Sequence, residues 1–183
     1  MPKAQDQLVW IDMEMSGLNP DTDVVLEIAI LLTNGELEVT KEGPEIIVSQ
    51  PKELFETMDN WNKEHHTKSG LWAAVEASKV SLKEAEDQIM AFLESNVAAK
   101  SSPICGNSIA QDRLFLRKYM PRVNDYLHYR MVDVSSVKEL VKRWYPKAKS
   151  SPSKAGNHRA MDDIRESVNE LKFYRENFFT KPS

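Results

Sequence analysis

Two acidic residues, Asp12 and Glu14, interrupt an apolar stretch near the start of the sequence, which reads LVWIDMEM. On a β-strand, residues two apart project from the same face, so both carboxylates lie on one side and Met13 lies on the other. This pattern is typical either of a strand with one solvated, acidic face or of a pair of oxygen ligands for a hard cation. Two carboxylates this close raise the pKa of one of them unless a cation compensates.

A third acid, Asp112, falls on the apolar side of a stretch with helical periodicity, IAQDRLFLRKYM. At about 100° per residue, Ile109, Phe115 and Leu116 share that side with it. A carboxylate on a buried helix face is costly unless it is paired or bound to a metal ion. Asp112 is therefore a candidate metal ligand. The alternatives are a structural salt bridge and a first-turn carboxylate stabilised by the helix dipole.

The last acidic candidate is Asp163, on a helix predicted over about residues 160–178. Asp163 lies on the flank of the apolar stripe of this helix, whereas Asp162 points nearly opposite, into solvent. His158 precedes the helix and follows a stretch of small, polar, turn-forming residues, 150–157, which we expect to form a mobile loop. A histidine within one turn of a candidate ligand is suited to act as a general base.

Four carboxylates from three separate segments, together with one histidine, are the groups that two-metal phosphodiester hydrolysis requires. Mg²⁺ prefers oxygen ligands and usually keeps water molecules and substrate phosphates in its coordination sphere. Two such ions, about 4 Å apart, position a water molecule, lower its pKa and stabilise the leaving oxygen. The histidine then accepts a proton from the attacking water. The order of these residues along the chain is stronger evidence than any one of them.

The elements that would hold these residues are strands in the first third of the chain, followed by alternating helices and short strands. The Asn34-Gly35 pair between apolar runs predicts a β-hairpin. Ser81 and Glu84 predict a capping box at the start of one helix, and a similar pair predicts that another helix begins at Ser136. The predicted strands read LVWID, VVLEIAILLT, ELEVT, EIIVS, PICG and MVDV. This order indicates an α/β fold with a mixed sheet flanked by helices.

Length, charge and composition limit what the protein can do. At 183 residues the chain suffices for one domain with a substantial core, so we expect a single domain over residues 1–183. The net charge of −4 argues against a long, sequence-independent grip on nucleic acid. No apolar stretch approaches the roughly 20 residues that span a bilayer, and the first residues lack the layout of a signal peptide. With a single cysteine, Cys105, we expect a cytoplasmic protein without a membrane partner.

The order of the candidate residues is D-x-E near the start, an aspartate in mid-chain and H-x-A-x-x-D near the end. It resembles that of the DEDDh family of 3′-to-5′ exonucleases, and the closer similarity is to the oligoribonucleases. The segments that carry this resemblance read WIDMEMSGL, MDNWNKEHHTKSGL, CGNSIAQDR and HRAMDDIRES. The resemblance implies an RNase H-like fold and two Mg²⁺ or Mn²⁺ ions per active site. It also implies a homodimer that cuts very short RNA, above all 5′-phosphorylated dinucleotides, to mononucleotides.

The resemblance further implies roles for individual residues. The implied metal ligands and general base are Asp12, Glu14, Asp112, Asp163 and His158. The residues implied to bind the substrate are Leu18, Trp61, His66, Ser108, Tyr129, Arg130 and Ser135. Within this set, Ser108, Arg130 and Ser135 would cap the 5′ phosphate and so limit substrate length. Tyr129 would reach the active site of the other subunit.

The other implied substrate contacts each have an ordinary structural alternative. Leu18 would wedge between the two bases, but its position after Gly17 also fits an apolar residue that covers a turn. Trp61 would line the site together with His66, although large aromatic residues usually belong to the core. Arg130 also fits an exposed end of a helix or strand.

Three other functions compete with an oligoribonuclease. The nearest is a different DEDDh exonuclease, such as a proofreading or tRNA-trimming enzyme, which would need a basic or aromatic track for a longer strand. A non-catalytic RNA- or nucleotide-binding module of the same fold would be expected to lack at least one of the five core residues, and all five are present. A metal-dependent phosphatase acting on mononucleotides would have no use for a base wedge at Leu18.

Overall fold

The computed structural model describes residues 6–147 and 159–180. The strands are β1 (Leu8–Met15), β2 (Val25–Thr33), β3 (Val39–Ile47), β4 (Ile104–Gly106) and β5 (Met131–Asp133). The helices are α1 (Leu54–Thr57), α2 (Asn60–Lys68), α3 (Leu71–Ala77), α4 (Leu82–Asn96), α5 (Ala110–Tyr119), α6 (Pro121–Tyr126), α7 (Val134–Trp144) and α8 (Ala160–Phe178). Among the described residues, none of the helices combines the length and the apolar composition that crossing a bilayer would require.

The strands form one five-stranded mixed sheet in the order β3-β2-β1-β4-β5. β1, β2 and β3 pair in antiparallel fashion, whereas β4 and β5 run parallel to β1. Because parallel strands end at the same edge of a sheet, the carboxyl ends of β1, β4 and β5 lie side by side, which is where ligands bind in open α/β sheets. With helices packed on both faces, the structure confirms the predicted α/β fold with a mixed sheet.

Both faces of β1 are covered, which bears on its two acids. Ile11 and Met13 pack into a core with α4, α5 and α6. Trp10, on the same face as Asp12 and Glu14, is fully buried in a second core with α7 and α8. The interpretation of β1 as a strand with one solvated, acidic face is therefore wrong.

The predicted hairpin at Asn34-Gly35 joins β2 to β3, although Leu37 is the residue that adopts a left-handed conformation, with a φ of 65°. The stretches ELEVT and EIIVS, predicted as two strands, both contribute to the single strand β3. Gly43 and Pro44, between the two stretches, cause only a local irregularity in the pairing with β2. The pairing survives because β3 is an edge strand, where a proline is tolerated.

Most of the predicted helices are present. α4 begins with the predicted capping box, and the helices predicted in mid-chain and near the end of the chain form α5 and α8. The prediction that a helix begins at Ser136 is wrong, because α7 begins at Val134. Its cap is Asp133, whose carboxylate accepts the main-chain N–H of Ser135 at 2.9 Å. The segment 150–157, predicted to be a mobile loop, lies outside the described residues.

We predict that Gly43→Ala destabilises the fold. A Cβ at Gly43 would lie 2.6 Å from Ile30 Cγ2 and 2.8 Å from Ile30 O, so β3 would have to move away from β2. We expect the free energy of unfolding, measured by urea denaturation, to fall by about 1–3 kcal/mol. The matched control is Gly35→Ala, because the nearest atom is 3.6 Å from the added Cβ. The control should change the free energy by less than about 0.5 kcal/mol, and equal losses in both variants would contradict the prediction.

Candidate active site

Three carboxylates lie together where the carboxyl end of β1 meets the first turn of α8. Asp12 and Glu14 come from β1 and Asp163 comes from α8, and one carboxylate oxygen of each lies within 4.8 Å of the others. All three side chains are half-buried. The neighbouring Asp162 instead forms an ion pair with Arg165 at 3.3 Å. We refer to Asp12, Glu14 and Asp163 as the acidic cluster.

Asp112 approaches the same strand from α5. Its side chain is buried in the first turn of this helix, and its Oδ1 accepts the main-chain N–H of Met13 at 3.0 Å. The structure thus brings Asp112 to the backbone between the two acids of β1. Its carboxylate also lies in the positive field of the helix N-terminus. The helix-dipole explanation of Asp112 therefore stands beside a role as a metal ligand.

Burial and mutual repulsion make these carboxyl groups difficult to ionise. Burial raises the pKa of Glu14 to about 8, and the charges of nearby acids, Asp163 first among them, add to this effect. Burial also raises the pKa of Asp112 to about 7, in spite of the hydrogen bond from Met13. A divalent cation would relieve this repulsion, and carboxylate oxygens are the ligands that Mg²⁺ and Mn²⁺ prefer. The acidic cluster is therefore suited to bind a divalent cation.

A buried ion pair fixes the start of α8 against the sheet. Glu27 is fully buried on β2, in register with Glu14. Arg159 Nε and Nη2 donate to Glu27 Oε1 at 3.0 and 2.7 Å, and the main-chain N–H of Ala160 donates to Glu27 Oε2 at 3.2 Å. Asp163 lies one helical turn further on, so this pair sets its position relative to β1. Sequence reasoning missed both partners, although a glutamate inside the apolar run VVLEIAILLT was a visible signal.

His158, the predicted general base, lies outside the described residues. In the chain it directly precedes Arg159, whose side chain is fixed by the ion pair with Glu27. The structure therefore defines the position of the residue that follows His158, and the role of His158 itself stays a prediction.

Three residues predicted to bind the substrate lie either just after β1 or on α2, the helix that contacts the end of β1. Leu18 follows this strand, and its side chain is 73% exposed. Trp61 in α2 is 66% exposed and stacks on His65 with the ring centroids 4.5 Å apart, so it is not a core residue. His66 is buried, and its Nε2 lies 2.9 Å from Met15 O, which ties α2 to the end of β1. Exposed apolar and aromatic side chains in such a place are suited to stack on nucleobases.

Ser108 and Ser135 lie together beyond the carboxyl ends of β4 and β5. Their Oγ atoms are 3.2 Å apart. The main-chain N–H of Ser108 donates to Ser135 Oγ at 3.0 Å and to Asp133 Oδ1 at 2.9 Å. Ser108 has a φ of 51°, a left-handed conformation that costs a non-glycine residue about 1–2 kcal/mol. The structure thus brings two of the predicted cap residues together and holds one of them in a strained conformation.

The third predicted cap residue, Arg130, lies with Tyr129 on the segment between α6 and β5. Tyr129 is 71% exposed, and the Arg130 guanidinium lies 5.4 Å from the centroid of its ring. The buried Arg113, which sequence reasoning missed, holds this segment by donating from Nη1 to three successive carbonyl oxygens at 3.0, 3.1 and 3.4 Å. Among the described residues, neither Tyr129 nor Arg130 hydrogen-bonds through its side chain with Ser108 or Ser135. The reach of Tyr129 into the active site of a second subunit stays a prediction, as does the place of Arg130 in the phosphate cap.

Comparisons with known proteins agree with this geometry. A sequence model described as an exonuclease matches residues 9–171. Curated oligoribonucleases from Pseudomonas aeruginosa and Shewanella loihica are 52% identical over 171 residues and 49% identical over 179 residues. These matches cover 93% and 98% of this chain, and 95% and 99% of the two relatives.

Solved structures of exonuclease I share the fold. The zinc-bound complex of the E. coli enzyme with single-stranded DNA superposes with a TM-score of 0.73 at 16% identity, over 95% of this chain and 41% of the other. The enzyme from Methylocaldum szegediense gives a TM-score of 0.70 at 16% identity, over 94% and 41%. Because this chain spans about two fifths of the length of exonuclease I, the likeness concerns the fold alone.

A chain with this mixed sheet and this family match is an exonuclease of the RNase H-like class. About half of its residues are identical to those of curated oligoribonucleases over nearly its full length. The chain belongs to the oligoribonuclease family.

We predict that Mg²⁺ stabilises the protein more at high pH than at low pH. In the cation-free folded state, the pKa of Glu14 is raised from 4.5 to about 8, so the folded state retains a proton that the unfolded state releases in this window. The free energy of unfolding therefore falls as the pH rises from about 5 to about 8. Mg²⁺ binds the ionised carboxylates and should restore this loss.

Thermal unfolding with excess Mg²⁺ or with chelator measures this effect. The melting temperature should rise with Mg²⁺ by roughly 4 °C or more near pH 8 and by less than half of that near pH 5. Asp162→Asn, outside the acidic cluster, should keep the response, and Glu14→Gln should weaken both the pH dependence and the Mg²⁺ response. An equal Mg²⁺ effect at both pH values would contradict the prediction.

We also predict that Glu27→Gln lowers the free energy of unfolding by roughly 2 kcal/mol. Breaking a fully buried pair costs about 3–5 kcal/mol, and the partial exposure of Arg159 reduces this figure. The matched control is Glu42→Gln, which breaks the exposed ion pair between β3 and Arg165 of α8. This control should cost less than about 1 kcal/mol in urea denaturation. A loss in Glu27→Gln no larger than in the control would show that the buried pair does not stabilise the start of α8.

Proposed function

We propose that the protein is a 3′-to-5′ exoribonuclease that hydrolyses very short oligoribonucleotides, chiefly 5′-phosphorylated dinucleotides, to mononucleotides and so completes RNA degradation. The observation that carries this proposal is the acidic cluster, whose carboxylate oxygens lie within 4.8 Å of one another in a chain about half identical to oligoribonucleases. The names of these relatives support the substrate class.

The acidic cluster and Asp112 would hold two divalent cations, Mg²⁺ or Mn²⁺. When bound, such ions orient the attacking water, lower its pKa and stabilise the charge on the leaving oxygen. His158, as the general base, accepts the proton that this water loses. The ion pair between Glu27 and Arg159 supports this chemistry, because it fixes the start of α8, whose first turn carries Asp163.

The proposed substrate contacts make the enzyme selective for short strands. Leu18 wedges between the two bases, while Trp61 and His66 line the site. Ser108, Arg130 and Ser135 cap the 5′ phosphate. A longer strand would collide with this cap, which agrees with a net charge of −4, because a dinucleotide offers no extended backbone for a basic surface to follow.

The active unit that we propose is a homodimer of single exonuclease domains, each formed by residues 1–183. Tyr129 of the partner subunit would complete each active site, and the exposure of this side chain supports that role. The single cysteine, Cys105, is buried and free, which fits a reducing cytoplasm.

A length series of 5′-phosphorylated RNAs, assayed with Mg²⁺, Mn²⁺ or chelator, tests this function. We expect metal-dependent release of mononucleotides, fastest from the dinucleotide. Asp12→Ala and Asp112→Ala should lower kcat by at least about 100-fold, and His158→Ala should lower it by about 10²–10⁴-fold. The matched control, Asp162→Ala, removes an acid next to Asp163 that pairs with Arg165 instead, and should retain activity.

The same assay separates the proposed function from its rivals. Equal rates on dinucleotides and on much longer strands would indicate an exonuclease for long RNA or DNA. Release of phosphate from mononucleotides would indicate a phosphatase. Full activity of Asp112→Ala would contradict the assignment of Asp112 as a metal ligand.

A further inference from the structure

A group of buried polar side chains connects α8 with the two serines of the proposed phosphate cap. Its centre is Glu170 on α8, which is only 5% exposed. Glu170 Oε1 accepts the hydroxyl of Tyr174 at 2.7 Å and lies 3.0 Å from Lys138 Nζ. Glu170 Oε2 accepts Asn107 Nδ2 at 3.2 Å. A buried carboxylate is costly unless such donors surround it, so this arrangement is fixed rather than incidental.

Asn107, at the carboxyl end of β4, connects Glu170 to the two serines through hydrogen bonds. Its Nδ2 also donates to Ser167 Oγ at 2.9 Å, so both of its amide hydrogens are directed towards α8. The orientation of the amide is therefore defined, and Oδ1 faces Ser135, whose hydroxyl donates to it at 3.2 Å. With its proton engaged in this way, Ser135 Oγ is an acceptor for the main-chain N–H of Ser108 at 3.0 Å.

The main-chain N–H groups of the two serines are already occupied. Asp133 Oδ1 accepts the main-chain N–H of both Ser108 and Ser135 at 2.9 Å. The N–H of Ser108, just before α5, and the N–H of Ser135, in the first turn of α7, are consequently not free to bind a phosphate. This leaves the Ser108 hydroxyl for that purpose, because the Ser135 hydroxyl donates to Asn107. Ser108 needs support for its left-handed conformation, with a φ of 51°, because such strain persists only where the surroundings impose it.

We propose that Asn107, held in place by Glu170, is a positioning residue for recognition of the 5′ phosphate. It fixes Ser135, and through Ser135 it fixes Ser108, whose hydroxyl donates to Ser135 Oγ at 3.2 Å until the substrate arrives and then turns to donate to the phosphate. Asn107 itself does not touch the substrate. This inference rests on the proposed function, and in particular on the cap formed by Ser108 and Ser135.

The test compares a diadenylate carrying a 5′ phosphate with the same dinucleotide carrying a 5′ hydroxyl. For Asn107→Ala we expect the KM for the phosphorylated substrate to rise by about 10-fold, the loss of one charge-assisted contact. The kcat for this substrate, and kcat/KM for the 5′-hydroxyl substrate, should stay within about threefold of the wild type. Glu170→Gln should show the same selective effect, to a smaller degree.

The matched control is Asn177→Ala, which removes an asparagine of α8 whose side chain bonds only within its own helix among the described residues. It should leave the kinetics of both substrates unchanged. In a double-mutant cycle, Asn107→Ala should add little to the effect of Ser108→Ala, because both act on the same contact. Thermal melting of each variant shows whether it is folded at the assay temperature.

The outcomes separate this inference from the function on which it rests. A wild-type protein that hydrolyses neither dinucleotide overturns the proposed function and the inference with it. If the wild type is active but Asn107→Ala lowers kcat/KM equally for both substrates, or lowers only kcat, the role of Asn107 is structural and only the inference is overturned. Full additivity with Ser108→Ala would overturn it as well.

Discussion

Repulsion among carboxylates at the carboxyl end of β1 is the constraint to which the rest of the structure responds. The chain brings Asp12, Glu14 and Asp163 within 4.8 Å of one another and places Asp112 against the same strand. Such an arrangement opposes folding, and the energy that offsets it comes from two apolar cores, one on each face of the sheet. The acids thus stay together because the elements that carry them are held elsewhere, and a divalent cation bound at this cluster would supply the compensating charge.

The ion pair between Glu27 and Arg159 shows how the elements that carry these acids are held in place. Glu27 is itself an acid in register with Glu14, and it would add to the repulsion if it were unpaired. Arg159 neutralises it, opposes the rise in the pKa of Glu14 and attaches the start of α8 to the sheet. One residue thus reduces the electrostatic cost of the site and places Asp163, because it sits at the point where the chain enters α8.

The sequence predicts those features of the site that depend on local geometry, but not the contacts between residues that are distant in the chain. Helical periodicity separated Asp163 from Asp162 correctly, because the direction of a side chain on a helix follows from its spacing alone. The predicted start of α7 was wrong because Asp133 and Ser136 are both good capping residues. The direction in which the chain leaves β5 selects Asp133 as the cap, and this direction cannot be read from the sequence. α2 gave no signal, since its sequence NWNKEHHTK has almost no apolar residues; it is positioned by the contact of His66 with Met15 O.

The buried polar contacts could not be predicted from the sequence for the same reason. Glu27 and Arg159 are 132 residues apart in the chain, and Asn107 and Glu170 are 63 residues apart. A resemblance to a family names the residues of a site, but it does not show what holds them. Arg113 illustrates the difference, because it follows a candidate ligand in sequence and yet acts on the backbone of the segment that carries Tyr129.

α8 joins the two ends of the proposed substrate site. Asp163 in its first turn belongs to the acidic cluster, and Glu170, seven residues later, holds Asn107, so the two lie about 10 Å apart along the helix axis. Ser167 lies between them, and its Oγ donates to Asp163 O at 2.8 Å while it accepts Asn107 Nδ2. Because a helix does not stretch, the spacing between the acidic cluster and the serines is set by rigid elements rather than by a loop. If the proposed function holds, this rigidity allows the enzyme to select dinucleotides. The acidic cluster lies at the first turn of the helix, and further along the helix the hydrogen-bonded Asn107 amide fixes the serines, so the length of the site between them is fixed.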